Sequence, residues 1–179
     1  STPVVAPPSL SARAEEQVDA AGAQPLLEEV SSNVLFRSWL GKADLIRRSV
    51  LVIDNVAEGV SPRLPLRSLG PTSPFSVEPR GEGFVIAPES YARYDAAAEA
   101  IESLDARALA TAYRRLHGVL EPAYRALGYP GASIDRVVAR ALTRIENAPV
   151  ASADVSVESE DGVWTFSDAR LEGLRAVEK

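Results

Sequence analysis

The side chains able to do chemistry are few, and three groups of them stand out by type and spacing. In the stretch Leu45 to Glu58, Asp54 and Asn55 interrupt an otherwise apolar run. Glu58 follows Asp54 by one helical turn, in line with Arg47 and next to Arg48 in the same stretch. A carboxylate in apolar surroundings is costly unless paired or hydrogen-bonded. Asp54 and Asn55 therefore predict either a polar site that includes Arg48 and has Arg47 as charge partner, or a structural network reaching an Arg or Tyr elsewhere. Two acids across a cleft would suit glycan hydrolysis. The second group is Tyr91, Arg93, Tyr94 and Asp95. Tyrosine offers an apolar face with a polar tip, and arginine stacks on such rings. That cluster would line a ligand cleft, or else form a helix start in which Asp95 is the cap and the tyrosines pack beneath. The third group is a stripe of arginines, Arg136, Arg140 and Arg144, spaced by four on one helix face, with Arg114 and Arg115 facing out from a neighbouring helix. Such a stripe is a solvated face or a contact surface for an anionic partner.

Other chemistry is excluded or weak. The chain has no cysteine and a single histidine, so thiolate sites, disulfides and paired-histidine metal motifs are ruled out. No metal or cofactor is expected. His117 lies between Leu116 and Gly118 and reads as a solvated or core-edge histidine with a backbone partner. Gly81 and Gly83 read as a turn rather than a phosphate cradle, and no nucleophile elbow or P-loop is present. The net charge of −6 argues against nucleic acid as a partner, because phosphate binding needs a basic face. Lysine is confined to Lys42 and Lys179, so arginine supplies almost all the positive charge. No apolar run approaches the about 20 residues of a membrane span.

The elements that must position these groups follow from periodicity. Alanine is abundant, which favours helix. Residues 1–24, with Pro3, Pro7 and Pro8, read as a flexible Pro/Ala-rich tail or linker, and 25–179 as a single helical globular domain. A helix is expected from Pro25 to Leu40, stopped by Gly41, and a second from Asp44 as N-cap to Glu58, broad enough in its apolar face to be central. An irregular proline-rich stretch over 60–74 leads to a hairpin pairing Phe75–Glu78 with Phe84–Ala87. Helical segments follow at 89–93 and 95–104. Asp105 then caps a long helix, with Leu109, Ala112, Leu116, Leu120 and Tyr124 on its stripe and Pro122 as a kink. The next helix, 133–147, buries Ile134, Val137, Val138, Ala141, Leu142 and Ile145. Val155 and Val157 open a second hairpin that turns at Asp161-Gly162, and Ser167 caps a last helix continuing to Lys179. The expected architecture is mainly α, a compact bundle of roughly five or six helices with one or two small β-hairpins.

Several runs together carry a family resemblance. They are D-L-I-R-R-S-V-L-V-I-D-N-V-A-E-G (Asp44 to Gly59), Y-A-R-Y-D (Tyr91 to Asp95), A-Y-R-R-L-H-G-V-L-E-P-A-Y-R-A-L-G-Y-P (Ala112 to Pro130) and F-S-D-A-R-L-E-G-L (Phe166 to Leu174). In this order, over about residues 25–179, they resemble the bacterial family known as domain of unknown function 3014. The resemblance implies an envelope protein of a Gram-negative bacterium, on the periplasmic side. It would be tethered to the inner membrane by a helix that this chain lacks, through a Pro/Ala-rich linker. It implies a family pattern continuing past Lys179, and tyrosine more readily than histidine at position 117. It attaches no activity, cofactor or catalytic residue. Three functions follow as expectations. The first is a membrane-tethered interaction or assembly module whose partner is another envelope protein or a cell-wall component, met through the Arg and Tyr surfaces. The second is a small-ligand or glycan (peptidoglycan) binding domain with Tyr91, Arg93 and Tyr94 at a concave pocket. The third is a carboxylate-based hydrolase using Asp54 and Glu58.

Overall fold

A computed structural model describes residues 16–151 and 154–178. The chain is mainly α. Among the described residues, α-helices alternate with two hairpins in the order α1 (Ala23–Glu28), α2 (Val34–Leu40), α3 (Leu45–Glu58), β1 (Val77–Arg80), β2 (Gly83–Ile86), α4 (Pro88–Ala92), α5 (Asp95–Glu102), α6 (Ala106–Arg125), α7 (Ile134–Glu146), β3 (Ser156–Glu160), β4 (Val163–Phe166) and α8 (Ala169–Glu172). The longest helices carry the core. α3 packs against both α6 and α7, and α1 closes on α3 and α6. Between them Val30, Val50, Ala112, Leu116, Leu120, Tyr124, Ile134 and Val137 form one buried cluster. Burial of this kind is worth roughly 1.5–3 kcal/mol for each large apolar side chain.

Local chemistry fixes the boundaries. Asp105 caps α6 by accepting from the amides of Arg107 and Ala108 at 2.9 and 2.8 Å. The N-terminus of α7 is capped from outside its own sequence, because Glu121 on α6 accepts from the Ile134 amide at 2.8 Å. Pro88 stands in the first turn of α4, where its missing N–H costs nothing. The first hairpin turns at Gly81-Glu82, and the second at Asp161-Gly162, both of whose residues have positive φ (50° and 81°) as a tight Asp-Gly turn requires. The hairpins join through β2 and β3 into one antiparallel sheet of order β1-β2-β3-β4.

Several expectations are corrected. The helix foreseen from Pro25 to Leu40 is two helices, because the side chain of Asn33 restarts the backbone by accepting from the Phe36 amide at 3.0 Å. Val34 then faces solvent at 83% exposure instead of joining the stripe. Asp44 precedes α3 with φ +57° and its side chain makes no capping bond. Leu142 and Ile145, expected to be buried, are exposed (55% and 61%), although Ala141 beside them is buried and Arg144 still lies on the last turn of α3. The last helix is only α8, capped by Asp168 rather than Ser167, and it ends at Glu172 well before Lys179. Within the segment expected as a tail, residues 1–15 lie outside the described residues. Gln17 and Val18 lie along α6, where the Val18 amide donates to the Arg115 carbonyl at 2.9 Å. The Gln17 side chain there donates to the Arg114 carbonyl and accepts from the Gly118 amide, each at 3.0 Å.

Candidate functional site

Asp54 and Glu58 lie on the face of α3 that meets α6 and α7. Tyr124, buried on α6, donates its hydroxyl to Asp54 at 3.3 Å, and the exposed Tyr129 ring stacks on it at 5.2 Å between centroids. Burial pushes the Asp54 carboxyl above its ordinary range, aided by the charge of Glu58 and opposed by the Tyr124 bond. The Tyr124 hydroxyl is pushed up to about 12 by burial and by the Asp54 charge. Glu58 reaches outward to Arg140 at 2.7 Å. The cation facing the two acids is thus Arg140 on α7. Arg47 is exposed and Asn55 half-buried on α3. Both acids stand on one helix, one turn apart, which differs from the opposed carboxylates that glycoside hydrolysis uses.

Arg48 belongs to a different place. Its guanidinium donates to the carbonyls of Trp39, Lys42 and Ala43 at 2.8–3.0 Å, closing the C-terminus of α2. It also lies over the Trp39 ring at 4.6 Å. A cation at a helix C-terminus is favourable, and the contact ties α2 to α3. Burial lowers the pKa of this group, partly offset by Asp44.

The Tyr-Arg cluster forms a surface around α4. Arg93 ends α4 and donates to the Ser90 carbonyl at 3.0 Å, which fixes its direction. Its guanidinium sits between two exposed rings, 5.3 Å from Phe75 and 5.0 Å from Tyr94. Phe75, Tyr91 and Tyr94 remain 37%, 41% and 49% exposed. The support beneath them is Ser90, buried, whose hydroxyl accepts from the Ser76 amide and donates to the Ser76 carbonyl, both at 2.7 Å. Tyr91 faces the Asp154–Val155 end of the sheet, where burial and the Asp154 charge raise its pKa. Asp95, expected as the cap of α5, is instead exposed in its first turn; Tyr94 holds the cap position without a side-chain bond, and the tyrosines lie on the surface rather than beneath the helix. Phe75, expected as the start of the first hairpin strand, was not singled out as a site residue; it lies two residues before β1, whose Val77 pairs with Ile86, two residues before Pro88 at the start of α4.

The arginine stripe does not act as one face. Arg136 is exposed, Arg140 pairs with Glu58, and Arg144 is half-buried. Arg144 donates to the Ala57 carbonyl at 3.3 Å and pairs with Glu178 at 2.7 Å. Arg114 is exposed beside Thr111, whereas Arg115, expected to face out, is partly covered and donates to the Glu16 carbonyl at 3.2 Å. His117 joins a small group at the α6–α7 junction, with Nε2 3.4 Å from Asp135 and its ring edge-on to Tyr113. The Tyr113 hydroxyl donates to the same carboxylate oxygen, and burial and Asp135 raise its pKa.

Among the described residues are two open grooves. One, of about 440 Å³, is lined by Ala57, Ala139, Arg140, Thr143, Arg144, Asn147 and Glu178. The other, of about 510 Å³, lies on the sheet by Arg80, Phe84, Asp154 and Val157. Tyr91, Arg93 and Tyr94 line neither. Among the described residues no group of three or more acidic or histidine side chains is placed to hold a metal ion, and no helix is long and apolar enough to cross a membrane.

A chain of these helices and hairpins, carrying these side chains, matches one family model over residues 45–179, three quarters of its length. The protein belongs to the family described as protein of unknown function (DUF3014). No curated protein and no solved structure matches it.

Proposed function

We propose that this domain is an interaction or assembly module of the bacterial cell envelope, and that its partner protein docks on the α4 surface formed by Phe75, Tyr91, Arg93 and Tyr94. The observation that carries the reading is the Arg93 guanidinium held between two exposed aromatic rings. Tyrosine and arginine are enriched among the residues that dominate interface energetics, tyrosine for its large rigid face and arginine for its planar group of several donors. Here the cation is already stacked and directed by the Ser90 carbonyl, so little ordering remains to be done on docking. The helical elements act in this reading as one compact bundle that holds the surface rigid.

The setting is proposed from the family resemblance: the periplasmic side, with the domain tethered to the inner membrane through a segment outside this chain. A peptidoglycan fragment is the second reading, since exposed tyrosines also stack on sugars. It ranks lower because both grooves lie away from these rings. The test is affinity purification of the full-length protein from its host, with Arg93→Glu and Tyr94→Ala compared with Arg136→Glu. The first two are expected to lose a specific co-purifying envelope protein that the third retains. Retention by all three would remove the α4 surface from consideration.

A further inference from the structure

The groove beside α7 holds a second and separate arrangement. Arg144 is fixed from below, with two of its nitrogens on the Ala57 carbonyl at 3.3 Å, so that Nη1 points into the groove. There it meets the carboxylate of Glu178 at 2.7 Å. Arg140, one turn earlier, and the polar side chains of Thr143 and Asn147 line the same depression over a floor of Ala57 and Ala139. Glu178 belongs to the stretch after α8, which returns to the end of α3. The Arg175 side chain donates to the Glu58 carbonyl at 3.0 Å, the Val177 amide to the Gly59 carbonyl at 3.4 Å, and the Val177 side chain packs at the edge of the core. The groove therefore already receives a glutamate carboxylate borne on peptide backbone, from a stretch that follows α8 and is not itself helical.

We infer that this groove is a receptor for an acidic peptide segment of a partner protein, its carboxylate taken by Arg144 with Arg140 beside it, and that Glu178 is an internal ligand competing for the same site. A guanidinium oriented in advance binds carboxylate through charge-assisted hydrogen bonds, and an intramolecular competitor weakens every external ligand by the share of time it occupies the site. The site is independent of the α4 surface, so loss of one leaves the other standing.

The probe is the acetylated, amidated tetrapeptide Ala-Val-Glu-Lys, titrated at low salt into the whole chain and into its Glu178→Gln variant, with binding followed at the Arg144 Nε–Hε resonance. Removing the competitor's charge is expected to tighten peptide binding by about tenfold. Adding Arg144→Gln to Glu178→Gln is expected to abolish it. Equal affinity for both chains, or no binding to a Glu178→Gln chain that melts cooperatively, would overturn the proposal and leave the pair a structural clamp. A second measurement needs no variant: saturating peptide on the unaltered chain is expected to speed exchange of the Val177 amide several-fold as the segment is displaced. Unchanged exchange at saturation contradicts the competition.

Discussion

Replacing Gly59 by alanine tests how the C-terminal segment is seated. Gly59 ends α3 in the left-handed region, with φ +77°. An added Cβ would lie 2.2 Å from Cδ and 3.2 Å from Cβ of Arg175, and 3.3 Å from Arg144 Nη1. Two costs follow. A residue with a Cβ pays about 1–2 kcal/mol for the left-handed conformation itself. The Arg175 stem must then move, because the clash involves its Cβ and Cδ rather than its tip, and its bond to the Glu58 carbonyl goes with it, for about 1 kcal/mol more. The expected total is about 2–3 kcal/mol. Gly81 gives the reference: its φ is +61°, yet nothing lies within 4 Å of an added Cβ, so Gly81→Ala should show the backbone term alone. Urea unfolding at 25 °C of the two variants, and of Gly59→Ala combined with Arg175→Ala, separates the terms. The double variant is expected to fall back towards the Gly81→Ala level. Equal losses for Gly59→Ala and Gly81→Ala would refute the close approach of the C-terminal segment to α3.

The remaining expectations concern pH and the support of the α4 surface. Asp54 has a raised pKa in the folded chain, so the folded state binds its proton more tightly and stability rises as pH falls through that value. Asp54→Asn should match or exceed the parent in melting temperature at pH 7 and lose the gain on acidification; a clear loss at pH 7 would show that the carboxylate charge is needed. Glu178 behaves oppositely, its pKa lowered by the hydrogen bond from Arg144 and by the Arg175 amide. Its contribution is present above the unfolded pKa and disappears as pH falls through the lower folded one, a dependence that Glu178→Gln should erase from melting curves taken between pH 3 and 6. Ser90→Ala leaves the Ser76 amide without its acceptor in a part-buried place, while the Ser76 carbonyl keeps the Ala87 amide, which should cost about 1–3 kcal/mol in urea unfolding and weaken partner binding through the loosened Phe75.

The long helices were legible because their signals are local. The stripe of α6 and its Asp105 cap, and the apolar positions of α7 near Ile134, are set by spacing alone. Both tight turns were legible for the same reason, since glycine and Asp-Gly prefer the conformations they adopt. What sequence could not show is what lies beside an element. Leu142 and Ile145 keep the period of a buried face, yet both are exposed while Ala141 beside them is buried. Asn33 divides one apolar stripe into two helices by a single side-chain bond that competes with the periodic pattern. For Asp54, the alternatives of a site with Arg47 or a tie to a distant Arg or Tyr rested on the same residues; only the packing of α6 and α7 brings Tyr124 and Arg140 there. The equal spacing of Arg136, Arg140 and Arg144 suggested one surface, yet 4 residues advance a helix by slightly more than a turn. The stripe therefore rotates from solvent at Arg136 towards the α3 terminus at Arg144.

The most direct test of the proposed interface places a photo-reactive phenylalanine analogue at position 94 of the full-length protein in its native host, with a second at position 136. The account predicts a single discrete cross-linked envelope protein from position 94, absent from position 136 and lost when Arg93→Glu is added. A product of equal yield from both positions, or one from position 94 that survives Arg93→Glu, would contradict it.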